Sequence, residues 1–433
     1  MTAALARYIR SFTGFSRDAR LFLLTTIAYG AALSLYWIDF NLYLESIGLR
    51  SAIGFMLSAS MLAGFLVALP ASALSDRFGR RALMATGMAL VAVALLALLP
   101  GQQALLFVGV VALGAGSQIV AVVQIPFIAE HTLPEQRNEY FSLWSALGFL
   151  TTLVSAVLGG AIATALASQL GYSSAAAPYR ILLIGVAILG VVALGTVFLL
   201  KSDKPAPDRA PTPGRGRFGL VILDRRLFFC LLLPGFLTSL GAGQLIPFLN
   251  VFVETKFGLG LAAVNAVFAV ASLGTAIAIL AQPALARRFG RIGSIVLVQG
   301  ASIPFIVVLG FSPILWTVAA ALTVRNSLMN AGSPIFDAFA MDRVSPGERA
   351  TLAACMTLLW NLGWVIAPIY YELLQARLGF YAGYAVDFVT IIVLYTIATS
   401  LLWHWFRDTD RTAPSGDQVA PLPVEAAPLL EHA

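Results

Sequence analysis

The sequence is poor in charge. Only 11% of its 433 residues are Asp, Glu, Lys or Arg, whereas 59% are hydrophobic, and the mean hydropathy is +0.87. Soluble globular proteins carry roughly 25% charged and about 45–50% apolar residues, because a surface that faces water needs the charge. The composition therefore excludes a soluble protein and predicts a membrane protein.

Cysteine and histidine are also scarce. Cys230 and Cys355 lie far apart in apolar stretches, and the three histidines lie in loops or near the ends. There is no CxxC pair and no HExxH, GxSxG or Walker motif, which argues against a disulfide scaffold, a metal site, a hydrolase and a built-in ATPase. The string GRGRFG at 214–219 lies in a proline-rich segment without a preceding strand, so we reject a dinucleotide site. We expect no cofactor, no metal and no enzymatic activity.

Long uncharged runs dominate what is present. A helix needs about 20 apolar residues to cross a hydrocarbon core of roughly 30 Å, and membrane strands need only about 9–11. Runs of helical length lie near 21–44, 52–74, 82–100, 105–129, 140–166, 179–200, 227–252, 261–286, 292–311, 314–341, 351–373 and 383–406. They predict an all-α membrane protein with twelve transmembrane helices.

The basic residues predict the orientation of these spans. With both termini in the cytoplasm, only Arg50, Arg180, Lys256 and Arg377 fall outside and Arg325 falls within a span, so the rest of the 27 basic residues face the cytoplasm. This is the positive-inside pattern. The net charge of +6 is thus explained by topology, and we expect a multi-pass protein of the cell membrane without a nucleic-acid partner.

Four segments follow from this organisation. We predict an N-terminal six-helix bundle at 1–200, which begins with an interfacial amphipathic segment, and a cytoplasmic linker at 201–226 that is rich in proline and charge. A C-terminal six-helix bundle at 227–406 and a disordered cytoplasmic tail at 407–433 complete the chain. We expect a monomer in the lipid bilayer.

The two bundles share an internal repeat. LSDRFGR at 74–80 matches LARRFGR at 285–291 in five of seven positions, at an offset of 211 residues. PEQR at 134–137 and PGER at 346–349 form a second pair at an offset of 212. Both pairs follow corresponding spans, which predicts a duplicated six-helix unit.

The first of these loops resembles a family signature. SALSDRFGRRAL at 72–83 is similar to the loop motif of the major facilitator superfamily, and Asp76, Arg77, Gly79, Arg80 and Arg81 match it. Ser72 replaces the usual first glycine, and Arg287 replaces the aspartate in the second copy. The resemblance implies two pseudo-symmetric bundles that move a solute by alternating access.

The same resemblance implies a cytoplasmic gate. In the family the arginine four positions after the aspartate pairs with an acidic residue at the end of the fourth helix, which here pairs Arg80 with Glu130. The repeat counterpart is Arg291 with Asp342. Asp76, Arg77 and Gly79 complete the predicted gate, which would hold the cytoplasmic side closed and break when that side opens. The alternative is that these charges only set topology and solvate the loops.

Charged groups inside spans are costly and mark functional candidates. Asp39 lies on the same face of the first span as Tyr36 and Tyr43, and Tyr29 extends this stripe. A desolvated carboxyl there could carry a proton, although an interfacial, solvated Asp39 is the alternative. At the repeat offset, Asp39 corresponds to Asn250 in the seventh span.

Arg325 opens a polar run in the tenth span that continues with Asn326, Asn330 and Asp337. Arg325 could bind an anionic group of the substrate or hold helices together. Asp337 would serve the inner gate, and Asp387 would lie at the interface. Further cavity candidates, polar or aromatic, are Gln118, Gln124, Trp144, Gln244, Trp360, Asn361 and Trp364.

These features predict a secondary transporter of a small amphipathic or neutral organic solute, with proton-coupled export as the first hypothesis. A facilitator or importer of a metabolite is the alternative, and a receptor or scaffold is the alternative of another class. The Gly-Pro signature common in the fifth helix of drug–proton antiporters is replaced by Ser155-Ala156, although Gly159 and Gly160 remain. The small residues still predict close helix packing.

Overall fold

The computed structural model describes residues 14–132, 134–172, 174, 176–201, 222–345 and 348–407. Every regular element within these ranges is a helix. The predicted interfacial segment lies largely outside the described residues, as do most of the linker and the tail. The segment boundaries drawn from the sequence therefore stay predictions.

The first six spans form the N half of the molecule. Their helices are Arg17–Ser46, Ile53–Phe78, Arg80–Leu98, Gln103–His131, Pro134–Gln169 and Ala177–Phe198. The helices continue beyond several of the uncharged runs because their cytoplasmic ends carry charged turns. The uncharged runs therefore predict the middle of each helix well and its ends poorly.

The remaining spans form the C half. The seventh span is Arg225–Leu245, continued through the 3₁₀ turn Ile246–Phe248 by Leu249–Phe257, and the next three are Leu261–Phe289, Arg291–Phe311 and Leu315–Arg343. Arg349–Phe406 contains both the eleventh and the twelfth span, because Gly379 breaks it with a φ of 73°. The described helices thus provide the twelve predicted crossings.

Hydropathy alone finds fewer of them. Nine stretches of the described residues are long and apolar enough to cross a membrane, and the eleventh and twelfth spans count as one of these. The tenth span falls short, and the described side chains of the eighth span cover only its apolar stretch Leu261–Thr275. In the tenth span the reason is its polar run, which includes Arg325 and Asp337.

Two glycines confirm the repeat in the backbone. Gly79 separates the second and third spans with a φ of 92°, and Gly290 separates the eighth and ninth with a φ of 72°. They are 211 residues apart, at the same position of the repeated loop. Residues other than glycine rarely adopt this backbone conformation, so the sharp turn between the two helices depends on glycine in both halves.

The buried apolar side chains form three clusters. One cluster contains residues of both halves, including Tyr43 and Leu57 from the N half and Phe248 and Phe388 from the C half. The other two belong to one half each, and both lie toward the predicted cytoplasmic end. In the described residues, the halves therefore share a core at the predicted outer end and keep separate cores at the inner end.

Candidate functional site

Two asparagines join the halves at the predicted outer end. The Asn41 side chain of the first span donates a hydrogen bond to the backbone carbonyl of Pro247, at 2.5 Å. The Asn250 side chain of the seventh span donates one to the carbonyl of Ile38. Asn41 and Asn250 are 209 residues apart, as are Ile38 and Pro247. The two bonds are therefore related by the pseudo-twofold axis of the duplicated fold.

Each asparagine is followed four residues later by a glutamate that also reaches across. Glu45 accepts a hydrogen bond from Thr255 of the C half at 3.2 Å, and it pairs with Arg50 at 2.7 Å. Glu254 accepts one from Tyr179 of the N half. The repeated pattern NLYLE at 41–45 and NVFVE at 250–254 thus supplies an amide and a carboxylate in both directions. We call this set the outer contact.

Two glycines of the N half allow close approach of the C half beside it. At Gly54 a Cβ atom would lie 2.4 Å from the Pro368 carbonyl oxygen, and the Gly54 amide donates to Glu372 at 3.0 Å. At Gly160 a Cβ atom would lie 2.6 Å from the Asn265 side-chain nitrogen. The second span thus packs on the eleventh, and the fifth on the eighth.

Asp39 is buried behind the outer contact, with only 1% of its surface exposed. The Asn265 side chain lies beside the carboxylate, but within the described chain neither Asp39 oxygen has a hydrogen-bond donor in good geometry. Glu254 is near enough to repel it. Asp39 is therefore a buried carboxyl, without a cationic partner among the described residues, at the junction of the two halves.

A cavity of about 310 Å³ lies against the N half and is lined by polar and aromatic side chains. Four of the predicted residues on the N half line it, Tyr29, Tyr36, Gln118 and Gln124, and Asn361 reaches it from the eleventh span. Trp144 lines a smaller space of about 160 Å³ together with Tyr29 and Gln124. Their predicted contact with a solute stays a prediction.

A second cavity, of about 390 Å³, lies against the C half, and we call it the C-half cavity. Arg325, Asn330, Asp337 and Trp360 line it, and Asn326 accepts a hydrogen bond from Arg325 at 2.9 Å. Arg325 is buried and also donates to Tyr395, at 2.8 Å. Arg325 is thus held by neutral partners.

The remaining candidates are not among the residues that line these cavities. Trp364 packs edge-on against Trp37 across the halves, with ring centroids 6.5 Å apart. Gln244 is buried near the seventh-span break and its side-chain oxygen has no partner in the described part of the chain. Asn250 belongs to the outer contact. Their predicted role in lining the cavity stays a prediction.

The predicted gate residues form pairs within single halves. Arg80 lies 3.4 Å from Glu130 and also donates to Ser75, and Arg291 lies 2.5 Å from Asp342. The Arg77 guanidinium lies over the ring of the neighbouring Phe78, 5.4 Å from its centroid. The Asp76 side chain lies outside the described residues. Both ion pairs are formed although the outer ends are in contact, whereas the predicted gate would break when the cytoplasmic side opens. The gating role of these residues stays a prediction.

Two expectations differ from the structure. Asp387 is fully buried rather than interfacial, because Gly379 starts the twelfth span two turns before it. The pseudo-twofold axis relates Asn250 to Asn41 rather than to Asp39. The reason is that the offset between the first and seventh spans is 209 residues rather than 211. The first–second and seventh–eighth connections differ in length, which explains the change of offset.

Sequence reasoning missed Asn41, Glu45, Glu254, Asn265 and Glu372. Polar residues near the ends of spans are common, and their spacing does not reveal which face meets the other half. The duplicated N-x-x-x-E pattern in the first and seventh spans was the available signal for the first three. Nothing comparable marks Asn265 or Glu372.

Solved structures share this fold. A bacterial homologue of the human lysosomal transporter Spinster, in an inward-facing and occupied conformation, is 17% identical with a TM-score of 0.70, over 92% of this chain and 98% of that one. A variant of the nucleoside transporter NupG is 12% identical with a TM-score of 0.73, over 90% and 99%. A D-xylose–proton symporter is 13% identical with a TM-score of 0.70, over 92% and 97%. At these identities the likeness shows the fold alone.

The family is identified by comparison with sequence families. A search of curated proteins finds no match. The family model described as "Major Facilitator Superfamily" matches residues 22–368, which is most of the chain. The fold, the repeat and this match agree, and we conclude that the chain belongs to the major facilitator superfamily, a family of multi-pass membrane transporters.

Proposed function

We propose that this secondary transporter exports a small amphipathic or neutral organic solute in exchange for protons, and that Asp39 carries the proton. The single observation behind the proposal is the position of Asp39. Its carboxyl is buried, has no cationic partner in the described residues, and lies where the two halves meet. Burial of an ionised carboxylate without a partner is expensive, so a proton bound there would relieve the cost until water reaches the group.

The arrangement of the two halves supports alternating access. The outer contact and the shared core close the predicted outer end, whereas the described inner ends have separate cores. This favours an inward-facing state, from which a solute in either cavity would be reached from the cytoplasm. Transporters of this type bind substrate between the halves near the midplane and rock about that site.

The test uses purified protein in proteoliposomes with a pH gradient of about one unit across the membrane. Carboxyfluorescein, rhodamine 6G and coumarin serve as anionic, cationic and neutral probes. We expect saturable flux of at least one probe, driven against its own gradient by proton flow in the opposite direction. Asp39→Asn should lose this stimulation while keeping exchange in the absence of a gradient.

Asp387→Asn is the matched control, because Asp387 is also buried without a hydrogen-bond partner in the described chain. Full pH dependence in the Asp39 variant would remove Asp39 as the coupling residue. Saturable flux that ignores the pH gradient would favour the facilitator, and flux in the direction of proton entry would favour import. The absence of saturable flux for every probe would count against the proposed solute class.

A further inference from the structure

Arg325 is the largest of the fully buried side chains in the described part of the structure, with 1% of its surface exposed. Its guanidinium donates to the Tyr395 hydroxyl at 2.8 Å and to the Asn326 side-chain oxygen at 2.9 Å. The Nε atom is buried and has no partner in that part of the chain. An arginine has five N–H donors, so these two bonds leave three of them unused.

The positive charge of Arg325 is not balanced. Between Leu223 and Arg407 the sequence has seven acidic residues, and none forms an ion pair with Arg325 in the described structure; they are Asp224, Glu254, Asp337, Asp342, Glu348, Glu372 and Asp387. Asp337 is on the same helix, but twelve residues further, or about 18 Å at 1.5 Å per residue. A buried charge without a counter-charge is unfavourable, so an anion bound beside the Arg325 guanidinium would be stabilised.

The surroundings of Arg325 define the shape of that anion. The C-half cavity has a volume of about 390 Å³, within the size range of small-molecule sites. Phe236, Phe336 and Trp360 give it aromatic walls, and Asn330 adds a polar side chain. Aromatic walls bind an apolar body by dispersion and stacking, whereas the guanidinium fork matches the two oxygens of a carboxylate.

We propose that the C-half cavity binds a small amphipathic organic anion, with its carboxylate on the guanidinium of Arg325 and its apolar body against Trp360, Phe236 and Phe336. Tyr395 and Asn326 are positioning residues that hold the fork toward the cavity. The inference rests on the proposed function in that the bound anion is the transported solute, and it narrows the solute class from amphipathic or neutral to anionic.

The experiment measures binding to detergent-purified protein, so it does not depend on transport. Benzoate, 2-naphthoate and biphenyl-4-carboxylate are each compared with their primary amides, which keep the shape and lose the charge. Binding is followed by thermal stabilisation and by quenching of tryptophan fluorescence. We expect the acids to bind about 10- to 100-fold more tightly than the amides, as hydrogen bonds to charged groups contribute about 1.5–3 kcal/mol and 1.4 kcal/mol is tenfold.

Variants then locate the site. Arg325→Met should abolish the preference for acid over amide, and Arg325→Lys should keep part of it, because the charge remains without the fork. Tyr395→Phe should weaken acid binding several-fold, and Trp360→Phe should remove most of the quenching. Arg180→Gln, at an exposed arginine of the N half, is the matched control and should bind like the native protein.

Three results would overturn the proposal. The first is equal binding of acid and amide by the native protein. The second is an unchanged preference for acid over amide in both Arg325→Lys and Arg325→Met. The third is no saturable binding of any acid up to about 10 mM, since an affinity weaker than this is too low for a built site. The native comparison decides even if Arg325→Met fails to fold. A preference for acids without pH-driven flux would uphold this site and refute only the proposed coupling.

Discussion

The two halves treat the same interface positions differently. Gly54 of the N half corresponds to Asn265 of the C half at an offset of 211, and Gly160 corresponds to Glu372 at 212. In both outer interfaces the N half contributes the glycine, and the C half contributes the polar side chain that packs on it. The duplicated scaffold has therefore kept its geometry and divided the work. At these corresponding positions the N half has glycines, which leave room for close packing. The C half has Asn265 and Glu372, whose polar side chains lie near Asp39 and the outer contact.

Substituting either glycine with alanine tests this difference, because the added methyl group fills the room between the two halves. Gly54→Ala places a methyl group 2.4 Å from a backbone oxygen, whereas Gly160→Ala meets the end of a side chain at 2.6 Å. Backbone moves less easily, so we expect Gly54→Ala to disfavour the outer-closed state more. Overpacking costs about 1–3 kcal/mol, or about 5- to 150-fold in population.

Spin labels at Gln102→Cys and Ser312→Cys, on outer loops of the two halves, measure this by their distance distribution after both native cysteines are changed to serine. Gly54→Ala should shift the distribution to longer distances. Gly185→Ala is the matched control, because nothing lies within 4 Å of the added methyl group. Unchanged distances in the Gly54 variant would contradict the prediction.

The second comparison tests the symmetric part of the interface. Asn41→Ala and Asn250→Ala each remove one of two related hydrogen bonds between the halves. A typical net contribution is about 0.5–1.5 kcal/mol, so each variant should lower the outer-closed population about 2- to 12-fold. The same pair of spin labels measures the outer-closed population. The double variant should show the sum of the two free-energy changes. An effect of only one asparagine would show that the symmetry of the contact is not functional.

The smallest expected effect concerns the repeated loops PEQR and PGER, where Gln136 corresponds to Glu348. Glu348 accepts hydrogen bonds from the Leu223 amide at 2.6 Å and from the Ser345 amide and hydroxyl. The hydrogen bond from the Leu223 amide is the main reason that the pKa of the Glu348 carboxyl is below its usual 4.5. The hydrogen bonds from Ser345 lower it further. This stabilisation is present above the usual pKa and is lost as the pH falls through the lowered pKa of the folded state.

Glu348→Gln makes the C copy of the loop like the N copy. We expect it to lower the melting temperature slightly at pH 7, because the carboxylate acceptor is lost. The difference from the native protein should shrink as the pH falls below about 4.5 and then through the lowered pKa of the folded state, where the Glu348 carboxyl of the native protein becomes protonated. Melting curves of the native protein and the variant at pH 7 and pH 4 measure it. A difference that grows at low pH would contradict the assignment.

Most of the fold could be predicted from sequence because it depends on composition and period. Long uncharged runs, the basic residues of the loops and the repeated loop with Gly79 required only local reasoning. The breaks in the helices were harder, since Gly379 reads like any glycine in an apolar run. Asp387 was placed at the interface for that reason, although the twelfth span begins earlier and buries it.

The candidate site was predicted only in part. Asp39 and Arg325 stand out because charge within a span is rare, whatever the packing. Asn265 and Glu372 become meaningful only when the fifth span packs on the eighth and the second on the eleventh. Such contacts depend on the relative placement of two halves that are distant in the chain, and one sequence does not encode it in any local pattern.

The asparagine bonds of the outer contact end on peptide oxygens, at Ile38 and Pro247. Every amino acid supplies such an oxygen, so mutational drift at those two acceptor positions leaves the acceptors in place. The genetic vulnerability of these two bonds is thereby concentrated in two codons, those of Asn41 and Asn250.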